Sequence, residues 1–246
     1  MTGMADDAPD VGERHVFRFF VDAVGAAGAT VELDAFDARH ARVLHGAHAD
    51  GPVEVVGSDG AIWHGTFDGP TGRLTLGDAP VARIDEPTIV VFAIVTVGGR
   101  TDELVDAAVQ AGATRIVPVV RSGKDRAKVD ARRERLTRIA TTAAKQAKRG
   151  SVPTIAAALD AAQLAGEPAG IVVDPEAPAL LDEVVRAIAP DAPIRLLLGS
   201  SDGFAPGMLD ELVAAGWERG RLGPTILRAE LAAGVAVAIA SMHASD

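Results

Sequence analysis

At Pro87 the rhythm of this chain changes. Beyond it, apolar runs such as "TIVVFAIV", "RIVPVV", "AGIVVD" and "IRLLLG" alternate with helical stretches such as "TDELVDAAVQAG", "ALLDEVVRAI" and "MLDELVAAGW". Runs that are apolar throughout, rather than at every second residue, suit strands buried on both faces. Strands separated by helices of this length are expected to run parallel. Segment 85–246 is therefore predicted to be an α/β domain with a mostly parallel sheet covered on both sides. Ligands of such sheets gather at the carboxyl ends of the strands, and Gly199 and Gly223 each end an apolar run.

Before Pro87 the pattern is different. From Arg14 to about Arg83, the runs "HVFRFFV", "VEVVG", "AIWHGTF" and "GRLTLG" are broken by Gly, Asp and Pro clusters, which reads as a small sheet or barrel. Between the first two runs, "DAFDARHARVLHG" is the helical candidate, opened by Asp34 or Asp37. Residues 14–84 and 85–246 are thus expected to form two domains linked through "ARIDEP", with 1–13 as a flexible tail. A chain of 246 residues with 48% hydrophobic composition can supply a core for each.

Cysteine is absent, which excludes disulfides and thiolate metal sites and suits a reducing cytoplasm. The acidic start "MTGMADDAPDVGER" does not have the basic and then apolar form of a secretory signal. The longest strongly apolar stretch, Leu231 to Met242, is well short of the roughly 20 residues of a membrane span. A cytoplasmic protein with no membrane partner is expected. Histidines at 15, 40, 45, 48, 64 and 243 lack paired ligand spacing, and no Walker lysine or H-E-x-x-H occurs, so no metal is expected.

The net charge of −10 conceals a segregation. From Arg115 to Arg149 there are twelve Lys or Arg against Asp125, Asp130 and Glu134, a local charge of +9 in a chain whose remainder carries −19. Three local acids cannot pair twelve bases, so a phosphate-facing surface is favoured over a merely solvated helix face.

Two strand-end loops hold candidate chemistry. Gly199-Ser200-Ser201-Asp202-Gly203 fits the G-x-S-x-G nucleophile turn of serine hydrolases. Such an elbow needs an acid and a histidine downstream, and the histidine available is His243, four residues from the end; a hydrolase using Ser201 is the weaker reading. The other loop, "RLGPTILRAELAAGVAVAIA", places Arg228 and Glu230 at the start of a helix of small apolar residues. Glu230 suits a helix N-terminus, with Arg228 as its partner, and a functional role for the pair is the alternative. That helix is apolar all round, which predicts burial by a sheet on one side and a second subunit on the other.

The stretches "GSSDGFAPGM", "AAGW" and "LGPTILRAELA", in order and without a gap from Gly199 to Ala232, resemble the pattern GPEGGFSPEE, AGF and LGPRILRAETA of the bacterial ribosomal small-subunit methyltransferase E family, of the SPOUT superfamily. "RFFV", "ARVLHG", "AGATRIVPVVRS", "AAKQAKRGSVPTI" and "VVDPEA" extend the likeness to nearly the whole chain. Departures fall at Ser201, where the family pattern has Glu, and at Leu231, where it has Thr. The alternative they raise is a divergent SPOUT relative with altered substrate or lost turnover.

The resemblance implies an α/β fold with an N-terminal PUA-like β-barrel followed by a SPOUT domain ending in a C-terminal trefoil knot. It implies S-adenosylmethionine as cofactor, in a pocket formed by three loops beside a homodimer interface. Val173, Asp174 and Pro175 belong to the first loop, and Leu198, Gly199, Ser201 and Gly203 to the second. Leu222, Gly223, Ile226, Leu227 and Arg228 belong to the third. The implied reaction is methyl transfer to N3 of a uridine in small-subunit (16S) ribosomal RNA, free or in the assembled subunit. Arg228 would stabilise charge on the uracil, with Glu230 orienting it. Arg18, Arg121, Lys124, Arg132 and Arg149 would hold RNA phosphates, and Phe17, Phe19, Phe20 and Trp63 are the candidates for stacking bases.

Overall fold

The computed structural model describes residues 16–22, 24–45, 52–95, 100–189 and 191–243, so the predicted tail at 1–13 lies outside the described residues. The chain divides into two compact units, one of residues 1–57 and 62–82 and the other of 58–61 and 83–246.

In the first unit, β1 (Phe17–Phe20), β2 (Thr30–Glu32), α1 (Ala35–His45), β3 (Pro52–Val56), β4 (Ala61–Asp68) and β5 (Arg73–Arg83) follow in sequence. The strands form one sheet in the order β1-β3-β4-β5-β2, with β1 parallel to β3 and antiparallel pairing at β3–β4 and β2–β5. Asp34 opens α1, its carboxylate accepting the amide of Asp37 at 2.7 Å, so the capping role falls to Asp34. Phe19, Val53, Val55, Phe67 and Leu74 form the core, with Phe17 and Trp63 packed against it. Phe19 is 1% exposed and is not a base-stacking platform.

The second unit is built on seven parallel strands. They are β6 (Ile89–Ile94), β7 (Arg115–Val120), β8 (Thr154–Ile155), β9 (Leu159–Asp160), β10 (Ile171–Val173), β11 (Ile194–Leu198) and β12 (Glu218–Gly220). Every recorded pairing among them is parallel. The central strands are buried along nearly their whole length, which is why their sequences are apolar without alternation. Helices α2 (Thr101–Ala111), α4 (Arg133–Gln146), α5 (Leu181–Arg186) and α7 (Ala229–His243) pack with one another, α7 against α2 above all, and α3 (Gly123–Asp130) follows β7. A second cluster gathers α6 (Met208–Ala214) and a 3₁₀ turn at Ala161–Gly166 over Phe92, Val119, Val172 and Leu197, with Trp217 edge-on to Phe92 at 5.8 Å. None of the described helices is long and apolar enough to cross a membrane.

The sheet order, β12-β10-β11-β6-β7-β8 with β9 beside β7, positions the site. After β9 the chain returns to form β10, and β11 then enters between β10 and β6. The carboxyl ends of four strands formed far apart in sequence therefore stand side by side, where open parallel sheets bind ligands.

Candidate active site

A cavity of about 920 Å³ opens at the ends of β6, β10, β11 and β12. Each of the three loops assigned to a cofactor lines it: Val173, Asp174 and Pro175; Leu198, Gly199, Ser201 and Gly203; Leu222, Gly223, Ile226, Leu227 and Arg228. Glu230 joins them, as does Arg100 at the start of α2.

Each loop is fixed by its own polar contacts. Asp174 is 4% exposed. Its carboxylate accepts the Glu176 amide at 3.0 Å and the Arg219 Nε at 2.6 Å, so the side chain anchors the loop and leaves other groups to meet a ligand. In the second loop Gly203 adopts φ +72°, and its amide donates to the Ser200 carbonyl at 3.0 Å. Arg121 reaches this turn from the end of β7, donating to Ser200 Oγ at 2.9 Å and to the Gly203 carbonyl at 2.6 Å. A Cβ added at Gly203 or Gly223 would meet no atom beyond the neighbouring residues within 4 Å. Both therefore line open space that a ligand can fill at close backbone approach.

At the mouth, Glu230 Oε1 accepts Arg100 Nη1 at 3.1 Å and lies 3.5 Å from Arg228 Nε. The glutamate is 17% exposed, the arginines 60% and 72%. One carboxylate thus holds two guanidiniums that remain open to a ligand. The sequence reading paired Arg228 with Glu230 and missed Arg100, which lies 130 residues away from Glu230 with no local pattern to connect them.

Ser201 is exposed, and its hydroxyl lies 3.4 Å from the carboxylate of the adjacent Asp202. His243 is engaged by Asp182 of α5. The hydrogen bond from His243, together with the charges of Arg186 and His243, outweighs burial and holds the Asp182 carboxyl below its usual range. The histidine that a hydrolase elbow would need is thereby committed elsewhere.

Two of the cations assigned to RNA are interior groups. Arg18 is 7% exposed and bonds Glu54 at 3.0 Å within the first unit. Arg149 is 4% exposed, clamps both oxygens of Glu86 at 2.8 and 2.7 Å, and donates to the carbonyls of Val109 and Ala113 at the end of α2. Neither side chain is placed to face phosphate. The expectation that twelve bases find three acids also needs correction, because acids outside the segment fold back onto it. Asp102 takes Arg132 and Arg135 at 2.9 and 2.5 Å, and Asp160 takes Arg126 at 3.0 Å. Lys124, Arg132, Arg133 and Arg138 remain at least partly open to solvent.

The last helix differs in part from its predicted surroundings. Ala233, Ala236, Val237 and Ala240 are fully buried against the unit itself, while Leu231 and Met242 are 52% and 62% exposed. Ile226, just before the helix, is 83% exposed.

Fold and site together define an α/β domain with a ligand pocket made from strand-end loops and a pair of arginines at its mouth. The chain belongs to the RNA methyltransferase domain family, whose model matches residues 85–241. Ribosomal RNA small subunit methyltransferase E from Neisseria gonorrhoeae, bound to S-adenosyl methionine, shares the fold with a TM-score of 0.76 at 22% identity, over 91% of this chain and 96% of that one. A Legionella pneumophila protein in complex with the bound cofactor SAM does so with a TM-score of 0.75 at 17% identity, over 93% of this chain and 98% of that one. No curated protein sequence matches the chain.

Proposed function

We propose that this RNA methyltransferase uses S-adenosylmethionine to methylate N3 of a uridine in small-subunit ribosomal RNA. One observation carries the reading: the three loops that the family resemblance assigns to a cofactor converge on one cavity of about 920 Å³. Its size lies within the range of cofactor sites. The open space in front of Gly203 and Gly223 gives an adenosyl group room against backbone.

When bound, S-adenosylmethionine supplies a methyl group made electrophilic by its sulfonium. The chain's own part is alignment and charge. Holding uridine N3 in line is worth about 7–11 kcal/mol in well-oriented systems. Arg228 and Arg100 place positive charge at the cavity mouth, where a uracil carbonyl gains charge as the N3 proton leaves to solvent. Glu230 keeps both arginines in place. Lys124 and Arg132 hold phosphates, and the first unit, read as a PUA-like barrel, supplies a second RNA contact.

The enzyme is proposed to be a cytoplasmic homodimer with a trefoil-knotted C-terminal segment. The exposed apolar residues Ile226, Leu231 and Met242 support a subunit interface beside the pocket. Ser201 and Leu231, which replace the Glu and Thr of the family pattern, favour a second reading in which the substrate is altered or turnover is lost. The deciding experiment combines calorimetry with S-adenosylmethionine and mass spectrometry of ribosomal RNA from cells with and without the gene. Loss of one methyluridine supports the first reading; binding without any change in RNA supports the second.

A further inference from the structure

Arg121 stands out among the cations of the basic segment by where its side chain goes. It follows the last residue of β7 and precedes Ser122, whose hydroxyl accepts the Lys124 amide at the start of α3. Instead of projecting with the cations of α3, its guanidinium reaches the turn after β11. One nitrogen serves two acceptors there, Ser200 Oγ at 2.9 Å and the Gly203 carbonyl at 2.6 Å. The turn's own bonds are short-range: the Gly203 amide donates to the Ser200 carbonyl at 3.0 Å, and the Ser200 hydroxyl lies 3.4 Å from the Gly203 carbonyl. The turn contains Gly199 and Gly203, the latter at positive φ, and glycine backbone has much conformational freedom to lose. Ser200 Oγ is also the acceptor for the Asp202 amide at 3.3 Å, so the arginine grips the atom on which the turn is folded. Residues Gly199 to Gly203, apart from Asp202, line the cavity.

We infer that Arg121 is a positioning residue, which locks the Gly199–Gly203 turn in the shape that receives the methyl donor and is not primarily a phosphate ligand. The inference rests on the cavity being the S-adenosylmethionine site. Its physical basis is that a charged donor on two neutral acceptors makes stronger hydrogen bonds than a neutral donor would. A second consequence follows from chain connectivity. Arg121 adjoins the Ser122–Lys124 cap, so phosphate drawn to Lys124 would act on the same short segment that holds the donor loop.

The test uses the full-length protein and three variants, Arg121→Ala, Arg121→Lys and Ser200→Ala. Calorimetry with S-adenosylmethionine is expected to show roughly tenfold weaker binding in Arg121→Ala, the scale of losing hydrogen bonds to a charged group. Arg121→Lys should recover part of that loss, and the double variant with Ser200→Ala should lose less than the product of the two single effects. The salt dependence of RNA binding should keep its slope in Arg121→Ala. Amide exchange at Gly203 should accelerate in Arg121→Ala with no ligand present. Unchanged donor affinity and unchanged exchange, with a salt slope reduced by about one contact, would make Arg121 a phosphate ligand and overturn the inference. Failure of the unaltered protein to bind S-adenosylmethionine would refute the pocket assignment instead, and the exchange measurement would still decide whether Arg121 locks the turn.

Discussion

Replacing Glu86 with alanine should destabilise the second unit severely, although the residue lies in the linker predicted by "ARIDEP". In the native chain its two oxygens accept Arg149 Nε and Nη2, the Gly150 amide and the Ser151 hydroxyl. The Arg149 side chain is 4% exposed and that of Glu86 14%. Removing the carboxylate strands a buried guanidinium, which costs about 3–5 kcal/mol. With a urea m-value of about 2 kcal/mol/M, the unfolding midpoint should fall by about 2 M. Trp217, buried in this unit, reports the transition by fluorescence in a Trp63→Phe background that silences the first unit. Acidity gives the reasoning a second handle. Burial pushes the Glu86 carboxyl up, but hydrogen bonds from Arg149 and Ser151, the Arg149 charge and the Gly150 amide together hold it below its ordinary value. A depressed carboxyl stabilises the fold above its unfolded-state pKa and ceases to do so as pH falls through the folded value. The gap between native chain and variant should therefore be full at neutral pH and close below the normal carboxylate range. A midpoint shift under about 0.5 M, or a gap that widens with acid, would refute this account.

Gly223→Val should weaken S-adenosylmethionine binding at least about tenfold by calorimetry, since its side chain would enter the cavity; an unchanged affinity would move the site. Glu230→Gln and Arg100→Ala should each lower the rate of methyl transfer by about tenfold or more with donor affinity nearly constant, because both act at the mouth. Binding to small-subunit RNA should weaken with salt at about −0.7 to −0.9 per phosphate contact, and Lys124→Ala should flatten that slope by about one contact. Replacing the buried pair together, Arg149→Met with Glu86→Leu, should leave the slope alone, since the guanidinium is buried on Glu86 and away from phosphate. If the proposed dimer forms, Leu231→Asp should convert it to monomer in sedimentation without melting the fold; at the buried Ala236 the same change would unfold the chain and test nothing about assembly.

The α/β character of residues beyond Pro87 was legible in the sequence because a strand buried on both faces must be apolar throughout, and periodicity records that burial directly. The three loops that line the cavity were named through the family resemblance, which "LGPTILRAE", the glycine turn at 199–203 and "VVDPEA" carry as short, contiguous motifs. The sequence could not assign partners to charges. It counted twelve bases against three local acids, whereas the fold brings Glu86, Asp102 and Asp160 to that segment from elsewhere in the chain. The resemblance set Arg18 and Arg149 against RNA phosphates, and only the fold buries each beside a carboxylate. Arg100 and Arg121 belong to the same lesson. A local pattern fixes where a side chain begins, but which loop its far end reaches depends on β11 entering between β10 and β6, and strand order is a property of long-range pairing that no short stretch of residues encodes.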